Sequence, residues 1–295
     1  MVESHILAAI ATPGMPANIG VSAAVILAAL LHAAWNAAAH HIPDRAVGLA
    51  LIGVAYTVVS AALVPWVAVP DAGARGYLLG SAVLHVVYNL LLIRSYRLGA
   101  FSQVYPLARG VSPLVVFVVA VTVIGQPLSS GQALGATVLC AGLIVLVVDG
   151  GRVFHAGRDA VTAAVLTGLC IASYTVLDGI GVRAAHSTAG YIGWLFLLQG
   201  PFLPAILAVQ RRSRTLRDCR PAWRLGLTSG VVSLTAYGIV LWAQTRTALA
   251  TVAALRELSL LFGAIIGVIF FRERFGAWRI AGAALAVTGI AILNI

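Results

Sequence analysis

The 295-residue sequence contains no lysine, and only 9% of its residues are charged. Soluble domains usually carry about 25% charged residues, so this deficit excludes a soluble globular protein, a disordered chain and a nucleic-acid-binding protein in water. Without lysine the chain also lacks the Gly-Lys-Ser/Thr sequence of a P-loop and cannot bind ATP in that way. The 61% of hydrophobic residues and the mean hydropathy of +0.99 instead predict a polytopic membrane protein.

Cysteine is scarce as well. Cys140 and Cys170 lie inside apolar segments, and Cys219 lies in an arginine-rich loop. No two cysteines have CxxC spacing, so we expect three free thiols. His40-His41 followed by Asp44 does not have the spacing of a strong metal site, and the sequence predicts neither a metal nor a cofactor.

Long apolar runs predict ten membrane-spanning helices. They follow a non-spanning segment, residues 1–18, which lacks the basic start of a signal peptide. Helices are favoured because backbone hydrogen bonds in a bilayer must be satisfied within each segment. The predicted spans are residues 19–39, 47–68, 76–96, 101–124, 131–149, 160–183, 188–209, 223–245, 248–271 and 277–294.

Arginine is distributed unevenly between the two sides of the predicted bundle. The loops after odd-numbered spans carry 14 arginines, whereas the opposite loops carry 3. Because cytoplasmic loops are enriched in basic residues, the odd-numbered loops are predicted to face the cytoplasm. We therefore predict a multi-pass protein of the bacterial cytoplasmic (inner) membrane with both termini on the outer side.

The two halves of the chain are related by an offset of 147 residues. Five predicted spans in each half require the halves to insert in opposite senses, and such inverted repeats are typical of secondary transporters. We expect an all-α membrane fold with a first repeat over residues 19–149 and a second over residues 160–295. The matched positions are Arg109 and Arg256, Ser112 and Ser259, Gly135 and Gly282, and Gly142 and Gly289.

Ionisable side chains inside predicted spans indicate functional sites, because they are costly to bury in lipid. In span four, Tyr105 and Arg109 share a helical face with Ser102 and Ser112. Arg109 either binds an anionic group of a substrate or is a structural arginine paired with carbonyls or a distant acid.

Span nine contains Arg256 directly before Glu257. Neighbouring helical residues point in different directions and do not pair with each other. We therefore predict that Arg256 pairs with Asp178 of span six, which leaves Glu257 available for proton coupling. Arg256 is also a candidate substrate contact, ranked below Arg109. The alternative is a closed structural network of all three side chains.

Further polar and aromatic residues recur at helical spacing and are candidate substrate contacts. For the histidine, an ordinary hydrogen-bonded contact between helices is the alternative, and aromatic residues also pack in cores or at interfaces. These candidates are His32, Trp35 and Asn36 in span one, Tyr88 and Asn89 in span three, Tyr174 in span six and Tyr237 in span eight.

Four stretches carry a resemblance to a known family. They are residues 32–36 (HAAWN), 102–110 (SQVYPLARG), 174–183 (YTVLDGIGVR) and 255–259 (LRELS). The chain resembles the EamA-type family of the drug/metabolite transporter superfamily. The resemblance implies ten helices in two inverted five-helix repeats and a central cavity lined by spans one, three, four, six, eight and nine. It also implies export or exchange of small metabolites.

The sequence therefore predicts a non-enzymatic secondary transporter, an exporter or exchanger working by alternating access. Its solute is a small polar metabolite, anionic or zwitterionic, bound by Arg109 with help from Tyr105, Asn36 and Tyr88. Proton coupling through Glu257 or Asp178 is a further expectation, and monomer and homodimer both stay open. The alternatives are a polytopic membrane enzyme, although no HExxH or helically spaced acid pair occurs, and a non-transporting membrane sensor or subunit.

Overall fold

The computed structural model describes residues 19–98, 101–123, 125, 129–148, 157–271 and 276–293. Within these ranges the side chains of residues 96, 101–106, 132, 147, 264, 267–271, 279 and 293 are outside the description. The predicted non-spanning segment 1–18 lies outside it as well. All regular elements in the described ranges are helical, in agreement with the predicted all-α fold.

The first half contains five long helices. They are α1 (Ile19–His40), α2 (Arg45–Leu63, followed by a 3₁₀ turn at Val64–Trp66), α3 (Ala72–Leu98), α4 (Phe101–Thr122) and α5 (Ser130–Val148).

The second half is divided into more pieces. Its elements are α6 (Arg158–Ala184), α7 (Thr188–Gln199), α8 (Phe202–Arg211, followed by a 3₁₀ turn at Arg212–Arg214), α9 (Thr215–Cys219), α10 (Trp223–Gln244), α11 (Leu249–Arg256), α12 (Leu258–Phe271) and α13 (Ala277–Leu293).

Six helical segments in the described ranges are long and apolar enough to cross a bilayer. They are Ile19–His40, Arg45–Trp66, Ala72–Ser95, Arg158–Ala184, Thr188–Cys219 and Trp223–Gln244. Shorter apolar helices cover Leu107–Thr122, Ala133–Leu146 and Ile280–Ile292. The prediction of a helical protein that crosses a membrane several times is therefore supported at this coarser level.

Two predicted spans are interrupted, which corrects the expectation of continuous helices. The span predicted at 188–209 breaks at Gly200 and Pro201, between α7 and α8; proline has no N–H to continue a helical ladder. The span predicted at 248–271 breaks at Glu257, where the Glu257 N–H donates to the Ala254 carbonyl over a tighter turn. This break lies at the centre of the candidate site.

Close backbone contacts between glycines join the two halves of the chain. An added Cβ at Gly142 would lie 2.5 Å from the backbone nitrogen of Ala286 and 2.8 Å from the Gly282 carbonyl oxygen. At the other end of this interface, a Cβ at Gly289 would lie 2.7 Å from the Gly135 carbonyl oxygen. Helices α5 and α13 therefore pack backbone to backbone, because small residues permit a close approach.

A third glycine pair joins α2 to the break between α7 and α8. A Cβ at Gly53 would lie 2.6 Å from the Gly200 carbonyl oxygen. These two positions are also related by the 147-residue offset. The offset thus pairs Gly53 directly with Gly200. It also converts the contact of Gly142 with Gly282 into the contact of Gly289 with Gly135.

Loop contacts define the two ends of the helical bundle. At one end, called the α1–α2 end, the Arg211 guanidinium hydrogen-bonds to the Asp44 carboxylate. At the other, called the α6–α7 end, the His186 N–H donates to Asp71 at 3.0 Å. Between the ends, α6 packs on α3 and α4, and α10 packs on α1 and α2. These six helices surround the candidate site.

Candidate functional site

A polar cavity of about 60 Å³ lies among α1, α2, α3, α6, α7, α8 and α10. A buried water occupies roughly 10–15 Å³ on the same scale, so the cavity has room for a few waters, and a larger solute requires the helices to separate. Its lining consists of His32, Trp35, Leu49, Ile52, Gly53, Tyr56, His85, Tyr88, Asn89, Tyr174, Phe196, Gln199, Gly200, Leu203, Ser233 and Tyr237.

Six candidate substrate contacts from the sequence lie together in this lining. They are His32, Trp35, Tyr88, Asn89, Tyr174 and Tyr237. Asn36 lines a second, adjoining cavity, which shares Trp35 and Leu49 with the first and extends to Arg45 at the α1–α2 end. The two cavities adjoin each other, and the second lies nearer that end.

Side chains of the first half are held in place by contacts along their own helices. The Asn36 amide donates to the His32 carbonyl at 2.8 Å, and the Asn89 amide donates to the His85 carbonyl at the same distance. The rings of His32 and Trp35 meet edge to face at 5.1 Å. Helical spacing therefore aligns these groups on one face, as the sequence pattern indicated.

Four aromatic rings in the lining of the polar cavity contact one another. The ring of His85 stacks on Tyr174 with centroids 3.9 Å apart, and Tyr237 meets His85 edge to face at 5.4 Å. Tyr88 meets Tyr174 edge to face at 5.7 Å. This cluster joins α3, α6 and α10 at the centre of the bundle.

Helices α2 and α7 also contribute polar side chains that were not predicted from the sequence. The Tyr56 and Ser233 hydroxyls are hydrogen-bonded at 2.7 Å, and Gln199 lies beside them in the lining. The resemblance implied a cavity lined by spans one, three, four, six, eight and nine, so spans two and seven are an addition. A single tyrosine or glutamine in an otherwise apolar span gave no periodic signal.

The second part of the site is a buried cluster of two arginines and one acid. The Arg109 Nε lies 3.6 Å from Oε2 of Glu257, and the Arg256 Nε lies 3.8 Å from Oε1. All three residues are at most 4% exposed. Arg109 also donates to the Ser259 hydroxyl at 2.7 Å. We call Arg109, Arg256, Glu257 and Ser259 the arginine cluster.

The arginine cluster corrects the predicted ion pairing. Arg256 was expected to pair with Asp178, but its Nε lies near Glu257 and its Nη1 donates to the Thr175 hydroxyl at 3.3 Å. Glu257 was expected to be the loose acid, yet it lies between both arginines. The physical reason is packing across the bundle, which brings Arg109 of α4 as well as Arg256 to the Glu257 carboxylate.

Asp178 forms a separate site with tyrosine partners. Its carboxylate accepts hydrogen bonds from Tyr191 at 3.0 Å and from Tyr237 at 2.5 Å, and the residue is fully buried. His85 lies within electrostatic range of it. Since Tyr237 also lines the polar cavity, Asp178 is one hydrogen bond away from that cavity.

The arginine cluster lies beside the polar cavity rather than in its lining. Both His32 and Tyr174 are within electrostatic range of Arg109 and Arg256. The side chain of Tyr105, a further candidate, lies outside the described residues. A further arginine in the last turn of α6, Arg183, donates to the carbonyls of Gln244 and Thr247 at 2.7 Å each, at the end of α10.

Outside the spans, an ion network joins the loops of the α1–α2 end. Arg211 contacts both Asp44 and Asp218. Asp44 begins α2 by accepting hydrogen bonds from the backbone N–H groups of Ala46 and Val47. Partial burial opposes ionisation of Asp44, but the Arg211 and backbone hydrogen bonds outweigh it and lower the pKa of this carboxyl.

Cysteines and possible metal ligands were considered separately in the sequence. The three cysteines are free thiols, as predicted. Among the described residues, no group of three or more His, Cys, Asp or Glu side chains is arranged to hold a metal ion.

Comparisons with known proteins bear on the fold and the family. One solved structure, named only "Crystal structure of protein", has 15% sequence identity and a TM-score of 0.72, and the match covers 94% of this chain and 98% of that one. At this identity the likeness supports the fold alone. No curated protein matches the chain. The model of the EamA-like transporter family matches residues 159–295. The resemblance seen in the sequence is confirmed over residues 159–295, which match the EamA-like transporter family.

Proposed function

We propose that this protein is a secondary transporter of a small anionic or zwitterionic metabolite. The observation that carries the proposal is the arginine cluster, in which two buried guanidinium groups share one carboxylate beside a polar cavity. The cluster has a formal net charge of +1, and a buried uncompensated charge is costly in a low-dielectric interior. An anionic solute bound there balances the charge.

Hydrogen-bond donors at the cluster support the same substrate class. Nε and Nη2 of Arg256 have no hydrogen-bond partner among the described residues. A guanidinium presents its donors in a planar fork that matches carboxylate, phosphate and phosphonate groups. Arg256 is therefore proposed as a contact of the acidic group on an equal footing with Arg109, whereas the sequence favoured Arg109 over Arg256.

The polar cavity suits the rest of a small amphipathic solute. Tyr88, Tyr174 and Tyr237 offer hydroxyls and ring faces, while His32 and Asn89 offer hydrogen-bonding groups. Trp35 and Asn36, in the adjoining cavity, extend this lining towards the α1–α2 end. We propose that the solute enters along this path and places its acidic group at the arginine cluster.

Alternating access is proposed on the basis of the glycine contacts. The three glycine pairs between the halves follow the 147-residue offset, as a two-fold relation between inverted five-helix repeats requires. Such repeats rock against each other around a site near the bilayer midplane. The 14 arginines on the loops of the α1–α2 end favour a cytoplasmic location for that end. We propose that the protein lies in a bacterial inner membrane and works as an exporter or exchanger.

Proton coupling is assigned to Asp178 rather than to Glu257. Glu257 compensates two guanidinium groups and is needed in its charged form for that purpose. Asp178 accepts hydrogen bonds from the neutral hydroxyls of Tyr191, Tyr237 and Ser81, with His85 nearby, and it contacts the cavity through Tyr237. Loss of pH-dependent transport in Asp178→Asn, with transport at fixed pH retained, is the expected result.

The test is a ligand-dependent thermal shift of the purified chain, followed by uptake into proteoliposomes. The panel contains alkylphosphonates, carboxylates, amino acids and organic amines. A ligand at 100 times its dissociation constant stabilises the folded state by about 2.7 kcal/mol. We expect acids to stabilise the wild-type protein, and Arg109→Gln and Arg256→Gln to lose that shift.

Arg183→Gln is the matched control, because Arg183 is a half-buried arginine in the last turn of α6 that bonds only to backbone carbonyls in the described contacts. This variant is expected to lower the melting temperature while keeping the acid-dependent shift. Stabilisation by amines alone, unchanged in Arg109→Gln and Arg256→Gln, contradicts the proposed anionic substrate.

A further inference from the structure

The arginine cluster is asymmetric although its residues occur in matched pairs. The 147-residue offset relates Arg109 to Arg256 and Ser112 to Ser259. Arg109 donates from Nη2 to the Ser259 hydroxyl at 2.7 Å, which joins α4 of the first half to α12 of the second. The equivalent bond, from Arg256 to Ser112, is not formed in the described part of the chain.

The groups that would form this equivalent bond are buried and unused. Arg256 is 3% exposed and Ser112 is 1% exposed. Nη2 of Arg256 and the Ser112 hydroxyl both lack a hydrogen-bond partner among the described residues. Buried polar groups are nearly always hydrogen-bonded, because an unpaired one loses its hydration without a replacement. Unused groups at exactly matched positions therefore indicate a second arrangement in which they meet.

We propose that Ser259 and Ser112 are paired positioning residues, each holding the arginine of the opposite half in one of the two states of the transport cycle. Ser259 holds Arg109 in the state described here, and Ser112 holds Arg256 in the opposite-facing state. The inference rests on the proposed function, because inverted repeats exchange conformations when access alternates. Glu257 stays between both arginines, so the exchange moves a hydrogen bond without separating buried charges.

In the state described here, the polar cavity adjoins a second cavity that lies nearer the α1–α2 end. The two cavities share Trp35 and Leu49 and continue to Arg45 at that end. At the α6–α7 end, Arg183 bonds α6 to the carbonyls that end α10. Removal of the Ser259 hydroxyl therefore favours the opposite-facing state, and removal of the Ser112 hydroxyl favours the state described here.

The test compares Ser259→Ala with Ser112→Ala in the full chain, with the three native cysteines replaced by alanine. A cysteine at position 39 (Ala39→Cys) reports on the cavity that opens towards the α1–α2 end. The measurement is the rate at which a membrane-impermeant maleimide labels it in lipid nanodiscs. We expect Ser259→Ala to lower the labelling rate about tenfold. The reason is that losing one hydrogen bond to a charged group changes the ratio of the two states about tenfold. Ser112→Ala keeps or raises the rate.

Two further variants make the outcome decisive. Ser259→Thr keeps a hydroxyl and is expected to keep the wild-type rate. Ser259→Val matches the threonine in shape but lacks the hydroxyl, and it is expected to repeat the loss if the alanine variant does not fold. Equal changes in the two alanine variants, or no change in either, overturn the proposal.

Anion binding is scored separately by thermal shift. A labelling asymmetry without anion binding overturns the proposed substrate class and keeps the positioning pair. Anion-dependent transport without the asymmetry overturns the positioning pair alone.

Discussion

Glu257 balances two buried guanidinium groups, and Glu257→Gln removes this charge while keeping the side chain's shape. The carboxylate oxygens lie 3.6 Å and 3.8 Å from the nearest Arg109 and Arg256 nitrogens. At an effective dielectric constant of about 20, each pair is worth roughly 4 kcal/mol of Coulomb energy, most of which offsets desolvation. Removing one partner of a buried ion pair typically costs about 3–5 kcal/mol, and we expect a loss in this range.

Charge balance predicts an order among three variants. The formal charge of the cluster rises from +1 to +2 in Glu257→Gln, falls to zero in Arg256→Gln and stays at +1 in the double variant. We therefore expect the free energy of unfolding to be lowest for Glu257→Gln and partly recovered in the double variant. The assay is denaturant unfolding in detergent micelles, and an anionic ligand from the panel is expected to stabilise Glu257→Gln more than the wild type.

The control is Asp159→Asn, an exposed acid in the first turn of α6. A surface substitution of this kind changes stability by about 0.5 kcal/mol or less. If Glu257→Gln is as stable as Asp159→Asn, or if adding Arg256→Gln makes it less stable still, then charge balance does not hold this cluster together. The proposed anion site at the arginine cluster is then wrong as well.

Two further predictions concern packing and the loops. Gly142→Ala places a Cβ 2.5 Å from the Ala286 backbone nitrogen and is expected to cost about 1–3 kcal/mol, whereas Gly131→Ala, in the first turn of the same helix, meets only a side-chain oxygen at 3.8 Å and serves as the control. Equal melting temperatures of the two variants contradict the close contact of α5 and α13. Asp44→Asn keeps the helix N-cap but removes the contact of a carboxylate with Arg211, at a cost of about 0.2–1 kcal/mol near pH 7. Because folding lowers the pKa of the Asp44 carboxyl from 3.8, its contribution to the free energy of unfolding is present above that pH and is lost as the pH falls below it. A stability difference between Asp44→Asn and wild type that is unchanged at pH 3 contradicts this assignment.

The helical membrane fold follows from the sequence because its cause is local. Apolar runs of about 20 residues have few stable conformations in a bilayer other than a helix. The bounds of α1, α6 and α10 lie within a few residues of the predicted spans. The break at Glu257 was missed, because an interruption inside an apolar segment depends on which neighbouring helix satisfies its backbone. The break at Gly200 has a local cause, Pro201, which the assignment of a continuous span overlooked.

Much of the candidate site also follows from helical periodicity. His32 and Trp35 were selected on one face of span one, as were Tyr88 and Asn89 on span three, and the structure brings all four to one cavity. Tyr56 and Gln199 were not selected, because each is isolated in an apolar span. Their polar neighbours come only from tertiary packing, which places Tyr56 and Gln199 beside Ser233 of α10 in the polar cavity.

By itself, the sequence determined that the chain is a helical membrane protein, that it has an offset of 147 residues between its halves, and that it carries Arg109, Arg256 and Glu257 within its apolar segments. The tertiary structure decided which of these groups meet. Glu257 lies between the two arginines and Asp178 bonds to tyrosines, the reverse of the pairing expected from depth along the spans. The reason is that distances across a bundle depend on packing that no local pattern encodes.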